Sequence, residues 1–322
     1  MNSIEAMEVE IGYQVQELPK SVQPNKINPD CCLFIGSGDS FIAGLVAHHA
    51  SKLRVISCNP VEFLLNPCIA NKRHMYIISV SGRTNANILS AVVARKHKIR
   101  TTAITTKPES ILAKYCDNYI KLSYKSTGSL TPGTIGFTST MLTCLSLIAD
   151  VPNLDNIGSI YQQANIEAEN LIKKHSIDTS SFIFLGDGIS FPIGMYGALK
   201  VNEIFGSKSY AYSIEEFCHS PIFSIKPGDN IVILDYFGYD KNNARLLYKR
   251  LNHINYPSLY IDLSGPSVTE ALLKSIFLIQ MLLLKLAKRD GLQECFFLCN
   301  KELLKLSSDL IYMSSSQDLD KL

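Results

Sequence analysis

The run Met75-Tyr-Ile-Ile-Ser-Val-Ser-Gly-Arg-Thr-Asn-Ala-Asn-Ile-Leu89 interrupts an apolar stretch with three hydroxyls and a glycine, then resumes with helical spacing. It predicts a buried strand, a tight loop and a helix starting at Asn85. Ser79, Ser81 and Thr84 would bring hydroxyls to the end of the strand, and Gly82 would let the backbone approach a ligand closely. The first N–H groups of the helix would open on the same point. Such a loop suits a phosphate; the plainer alternative is that Ser81 or Thr84 merely caps the helix. Two further groups could carry chemistry. Lys200 and Glu203 are three apart on a helical pattern, and His219 precedes Pro221 in a polar stretch. Taken alone, these would be a solvent-facing ion pair and an idle loop histidine.

The elements around the hydroxyl loop alternate. Strands are expected at 31–35, 53–57, 75–80, 101–105 and 119–122, with helices from Ser40, Val61, Asn85, Glu109 and about Thr134 to Ile148. Strand and helix alternating at this pace mean a parallel sheet covered on both faces. A second alternation has strands at 182–185, 209–212, 231–234 and 258–263, with helices at 192–205, at 243–253 and from Val268 onward. Ahead of the first sheet, Ile4, Met7, Ile11, Val15 and Leu18 form a helical arm that stops at Pro19. The expected organisation is therefore an arm over 1–28, a first domain over 29–150, a helical connector over 151–180 and a second domain with C-terminal helices over 181–322.

Phe34-Ile-Gly-Ser-Gly-Asp-Ser-Phe-Ile-Ala-Gly44 lies over Phe184-Leu-Gly-Asp-Gly-Ile-Ser-Phe-Pro-Ile-Gly194 with six identical positions, an internal repeat. Each copy reads as a strand turning through glycines into a helix, which gives two tandem doubly wound sheets, each with a crevice at the same place. The third glycine falls too far along for a dinucleotide fingerprint, which disfavours NAD. Where the first half has Ile78-Ser-Val-Ser-Gly-Arg-Thr84, the second has Ile233-Leu-Asp-Tyr-Phe-Gly-Tyr239, without the hydroxyls. One half is expected to bind and the other to be free for another task.

The 322 residues, 46% hydrophobic and 19% charged, describe a globular protein with room for two cores, and a net charge of +2 spread along the chain announces no nucleic-acid partner. Nine cysteines without a CxxC pair, and no cleavable leader before Met1-Asn-Ser, point to reduced thiols in a cytoplasm. Cys295 and Cys299 are read as buried thiols rather than zinc ligands, so no metal is expected. The apolar segment 271–287 is broken by Lys274, Gln280 and Lys285 and reads as a core or interface helix, not a membrane span.

At this point the residues resemble the sugar isomerase (SIS) domain family, in particular the double-SIS isomerase half of glucosamine-fructose-6-phosphate aminotransferase and stand-alone archaeal-type glucosamine-6-phosphate deaminases. The likeness covers most of 7–221 and rests on Gly36-Ser-Gly-Asp-Ser-Phe41, Val61-Glu-Phe63 and Ser79-Val-Ser-Gly-Arg-Thr84. It also rests on Gly197-Ala-Leu-Lys-Val-Asn-Glu-Ile204 and, at unbroken spacing, Ala211-Tyr-Ser-Ile-Glu-Glu-Phe-Cys-His-Ser-Pro221. The fold implied is α/β, with two flavodoxin-like SIS domains.

The resemblance implies that Ser40, Ser79, Ser81 and Thr84 hold the phosphate of a six-carbon sugar, with Ser37, Gly82, Thr134 and Glu216 as candidate further substrate contacts; Asp39 stands where the family usually has a hydroxyl and is a candidate contact only if it turns from the phosphate to a sugar hydroxyl. It implies Glu203 as the base that moves a proton between C1 and C2, His219 as the group assisting ring opening, and Lys200 as another site lysine. Aldose–ketose chemistry needs such a carboxylate and such an acid–base group. It further implies a homodimer in which His219 can reach the neighbouring subunit's site, without a cofactor. Departures are equally specific. No glutaminase domain precedes the first sheet, the family's VASTKAFT block appears as Thr131-Pro-Gly-Thr-Ile-Gly-Phe-Thr138 with Ile135 in place of lysine, and Lys301 stands in only loosely for a C-terminal lysine. The expected function is a phosphosugar aldose–ketose isomerase of the deaminating type, taking glucosamine-6-phosphate to fructose-6-phosphate and ammonia. The alternatives are a phosphoglucose or phosphomannose isomerase, a fructosamine-phosphate deglycase, or a non-catalytic phosphosugar sensor, which would need neither Glu203 nor His219.

Overall fold

The structure, a computed structural model, describes residues 1–236, 241–265 and 267–312. In chain order, helix α1 (Ser3–Glu17) precedes β1 (Cys32–Ile35), α2 (Asp39–Ala50), β2 (Ile56–Cys58), α3 (Pro60–Leu65), β3 (His74–Ile78), α4 (Asn85–Lys96), β4 (Thr101–Thr105), α5 (Ile111–Tyr115), β5 (Asn118–Lys121) and α6 (Ile135–Ile148). The remainder is α7 (Ile157–Lys174), β6 (Ser181–Gly186), α8 (Ser190–Phe205), β7 (Lys208–Tyr212), α9 (Ile214–His219), β8 (Asn230–Asp235), α10 (Lys241–His253), β9 (Ser258–Asp262), α11 (Val268–Arg289), α12 (Phe296–Cys299) and α13 (Lys301–Ile311).

The strands form two all-parallel sheets, ordered β2-β1-β3-β4-β5 and β7-β6-β8-β9. β1, β4 and β8 are buried along their whole length and β6 from Phe182 onward, as parallel strands covered on both faces must be. The two glycine turns have the same geometry. Gly38 and Gly188 take φ of 55° and 56°, and a Cβ on Gly44 or Gly194 would press on the Cβ of Phe34 or Phe184, at 3.0 and 3.2 Å. The shared glycines thus let a helix lie close against the first strand of each sheet.

The chain divides into two compact units that cut across the sequential domains expected from the sequence. Residues 1–16, 126–134 and 152–299 group with the second sheet, and 17–125, 135–151 and 300–322 with the first. The N-terminal arm is therefore split. Ser3 donates its backbone N–H to Glu294 Oε2 and its Oγ accepts from Cys295 N, while Ser21 Oγ shares a 2.5 Å hydrogen bond with Ser139 Oγ and Lys26 donates to the Ser146 carbonyl. The segment expected as a connector contains α7, which packs along α11 with Ile157, Ile160, Ala164 and Ala168 buried. It is core, not linker. The apolar interior of α11 fits the expected core helix, with Leu272, Leu273, Ile276, Phe277 and Leu283 all buried. The strand expected over 53–57 is shorter, because Lys52 and Leu53 turn with φ of 56° and 65° and Leu53 is exposed.

Candidate functional site

In the unit of the first sheet, β1 and β3 are neighbours from which the chain continues to opposite sides, to β2 and to β4. A crevice opens at the carboxyl ends of such a strand pair. The register Ile35↔Ile77 brings the Gly36–Ser40 turn beside the Ser79–Thr84 loop there. Ser79 is buried; its Oγ accepts the N–H of Gly82 at 3.1 Å and shares a hydrogen bond with Thr84 Oγ1 at 3.0 Å. Ser81 Oγ accepts the N–H of Arg83 at 3.3 Å. Asn87 donates to the Ile78 carbonyl and ties α4 to the end of β3.

Gly82 has φ of +64°, and a Cβ there would sit 2.2 Å from Ser110 Oγ. Only glycine fits, and what requires it is Ser110 of the same chain together with the positive φ, rather than the close approach of a ligand expected from the sequence. Thr84 occupies the N-cap of α4, yet its side chain makes no capping hydrogen bond. The capping role weighed for Thr84 is not what its hydroxyl does. Ser40 is half-buried and Ser37 exposed on the neighbouring turn, and Asp39 lies in the first turn of α2, where a carboxylate faces the positive end of the helix.

In the unit of the second sheet, α8 carries Lys200 and Glu203. Lys200 Nζ lies 2.7 Å from Glu203 Oε2, with the lysine side chain 2% exposed and the glutamate 35%. Lys200 Nζ also stands 5.4 Å from the ring centre of Tyr196, whose hydroxyl donates to the Gly133 carbonyl and accepts from Gln280. The pair is thus anchored in the interior and opens outward only through Glu203, unlike a solvent-facing ion pair. Helix α8 ends at Gly206, whose φ of +68° closes it three residues after Glu203. Cys295 is buried, and burial pushes its thiol up to about 11, so it stays protonated.

His219 ends α9 and is 71% exposed, with Nε2 3.2 Å from Glu215 Oε1. Glu216 is exposed on the same helix, its N–H held by the N-cap Ser213. Thr134, a candidate substrate contact, is buried, and its hydroxyl reaches Glu10 Oε2 at 3.2 Å. Glu10 also accepts from Thr131 Oγ1 and from both N and Oγ1 of Thr127. Thr134 is therefore turned to a carboxylate of its own chain. The sequence reading missed Glu10, because an acidic residue on an amphipathic helix reads as surface. It also missed Asp187, the counterpart of Ser37, whose Oδ1 accepts the N–H of Ile214 and so holds the start of α9. Burial raises the Asp187 carboxyl above its ordinary range, against that hydrogen bond.

The second sheet's counterpart of the hydroxyl loop begins Leu234-Asp-Tyr236, with Asp235 buried and accepting from the Tyr260 hydroxyl at 2.5 Å; Phe237, Gly238 and Tyr239 lie outside the described residues. Among the described residues no group of three or more His, Cys, Asp or Glu could hold a metal ion, and no helix is long and apolar enough to cross a membrane.

The family described as the SIS domain matches residues 177–273 of this chain, which take in the second sheet. The resemblance drawn from the motifs is borne out by its relatives. A glutamine–fructose-6-phosphate aminotransferase [isomerizing] from Buchnera aphidicola is 25% identical over 222 residues, 62% of this chain and 36% of that protein. One from Sulfurisphaera tokodaii is 25% identical, covering 65% and 37%. The chain thus spans little more than a third of the length of these relatives. Among solved structures, glucosamine-6-phosphate deaminase from Thermotoga maritima is similar with a TM-score of 0.71 at 22% identity, over 89% of this chain and 96% of that one. Tagatose-6-phosphate ketose/aldose isomerase from Escherichia coli gives 0.72 at 16%, over 89% and 94%.

Proposed function

We propose that the chain is a phosphosugar aldose–ketose isomerase of the deaminating type, converting glucosamine-6-phosphate to fructose-6-phosphate and ammonia. The observation that carries this reading is the Lys200–Glu203 pair: a buried ammonium at 2.7 Å from a carboxylate that keeps partial access to solvent. A base that works on a substrate carbon has to be held in one orientation and yet be reachable, and this one is both.

In the proposed mechanism the phosphate is held by Ser40, Ser79, Ser81 and Thr84 and by the N–H groups at the start of α4. His219 assists ring opening. Glu203 removes the proton from C2 of the open aldehyde to give an enolamine and returns it to C1. The product is the C2 imine of the ketose; water adds to it and ammonia leaves. Lys200 fixes the Glu203 carboxylate. The high exposure of His219 favours a homodimer in which it serves the neighbouring copy's substrate. All nine cysteines are free, which fits a reducing, cytoplasmic setting.

The names of the similar proteins support the class: an isomerizing aminotransferase, a deaminase and a ketose/aldose isomerase. Free ammonia measured after incubation with glucosamine-6-phosphate tests the finer reading. Stoichiometric release supports the deaminase; interconversion of glucose-6-phosphate and fructose-6-phosphate without ammonia would replace it with a plain isomerase; binding without turnover of either would leave a sensor.

A further inference from the structure

The Ser79–Thr84 loop offers a phosphate several neutral donors and one cation, Arg83. The arginine is exposed, and its guanidinium stands over the ring of Tyr312, 5.3 Å from the centroid, with no hydrogen bond or ion pair of its own among the described residues. Tyr312 is brought there by the backbone. The chain leaves α13 and forms an isolated antiparallel bridge with Thr84, so the residue beside Arg83 is paired with the residue that carries the ring. A guanidinium held over an aromatic face keeps its in-plane N–H donors for another partner and loses less freedom when it makes those bonds. An anion at the hydroxyls of Ser81 and Thr84, two residues before Arg83 and one after it, is such a partner.

We propose that Arg83 is a further phosphate-binding residue of this loop and that Tyr312 is its positioning residue, so that the ring of Tyr312 tunes the affinity for the phosphomonoester of the sugar. The inference rests on the reading of the loop as the phosphate site. It supplies the positive charge that a dianion needs and that the hydroxyls lack. It also gives the Thr84–Tyr312 bridge a task in binding.

Titration calorimetry of the full chain with fructose-6-phosphate and with inorganic phosphate tests it. Arg83→Ala is expected to weaken both by about tenfold or more and to flatten the salt dependence of binding, the loss of one charge-assisted contact. Tyr312→Ala is expected to weaken them several-fold and Tyr312→Phe to leave them unchanged. The double variant Arg83→Ala/Tyr312→Ala is expected to be no weaker than Arg83→Ala alone, because Tyr312 acts through the arginine. Arg83→Ala within twofold of wild type, or losses that multiply in the double variant, would overturn the proposal. Ser81→Ala serves as the control. If it loses affinity while Arg83→Ala does not, the phosphate site stands and the arginine's role falls; if wild-type protein binds neither ligand, both fall together.

Discussion

The Nζ of Lys200 lies 2.7 Å from Oε2 of Glu203, one turn further along α8, with the lysine buried and the glutamate half-open to solvent. The asymmetry sets what each substitution does. Removing the carboxylate takes away the anion that the buried ammonium faces, whereas removing the lysine leaves a carboxylate that water can reach. Glu203→Ala is expected to cost about 3 kcal/mol of stability, the low end for breaking a buried pair, and Lys200→Met clearly less. Urea unfolding of both variants checks the order.

Gly82 is expected to be intolerant of any side chain. Alanine there adds strain at φ +64° and drives its Cβ to within 2.3 Å of both Oγ and Cβ of Ser110. Gly82→Ala should cost about 3 kcal/mol and reduce phosphate binding with it, since the loop must shift. If denaturant midpoint and phosphate affinity both stay at wild-type values, the loop is more adaptable than its geometry indicates.

Glu10 collects four donors from Thr127, Thr131 and Thr134. Glu10→Ala strands them and is expected to cost about 3 kcal/mol; Glu10→Gln, which keeps one acceptor oxygen, about half of that. Hydrogen exchange at the Thr127 amide should speed up in both variants, more in the alanine.

His49 gives a pH signature. Burial, with the neighbouring His48 adding to it, lowers its pKa from the ordinary 6.5 to about 4. The unfolded chain therefore takes up a proton that the folded state resists. The histidine's contribution to stability is complete above pH 6.5 and is lost as the pH falls toward about 4. In His49→Gln the difference between urea midpoints at pH 7 and pH 5 should shrink; an unchanged difference would assign the acid sensitivity elsewhere.

Much of the fold was legible because parallel strands buried on both faces are short apolar runs, and because the glycines at 36, 38 and 44 recur at 186, 188 and 194 where a helix turns tightly off a strand. The hydroxyl loop was legible for the same local reason. The missing parts are long-range. Glu10 meets Thr127 across 117 positions and Ser21 meets Ser139 across 118, and no local period records such pairs. The run of α7 looked like a linker helix because its apolar stripe is short; only α11, a hundred residues on, makes it core. Leu53 read as strand since it is apolar, but the turn out of α2 claimed it. The burial of Lys200 could not be read at all, because an i, i+3 Lys–Glu spacing is ordinarily a surface pattern.

The most direct measurement is proton NMR of fructose-6-phosphate and of glucosamine-6-phosphate in D2O with wild-type protein and Glu203→Gln. Deuterium should enter at C1 of the ketose and C2 of the amino sugar with the wild type and stop in the variant, while the variant still binds both compounds. Exchange in Glu203→Gln at the wild-type rate would contradict the assignment of Glu203 as the base and, with it, the reading of the buried lysine–glutamate pair as catalytic equipment.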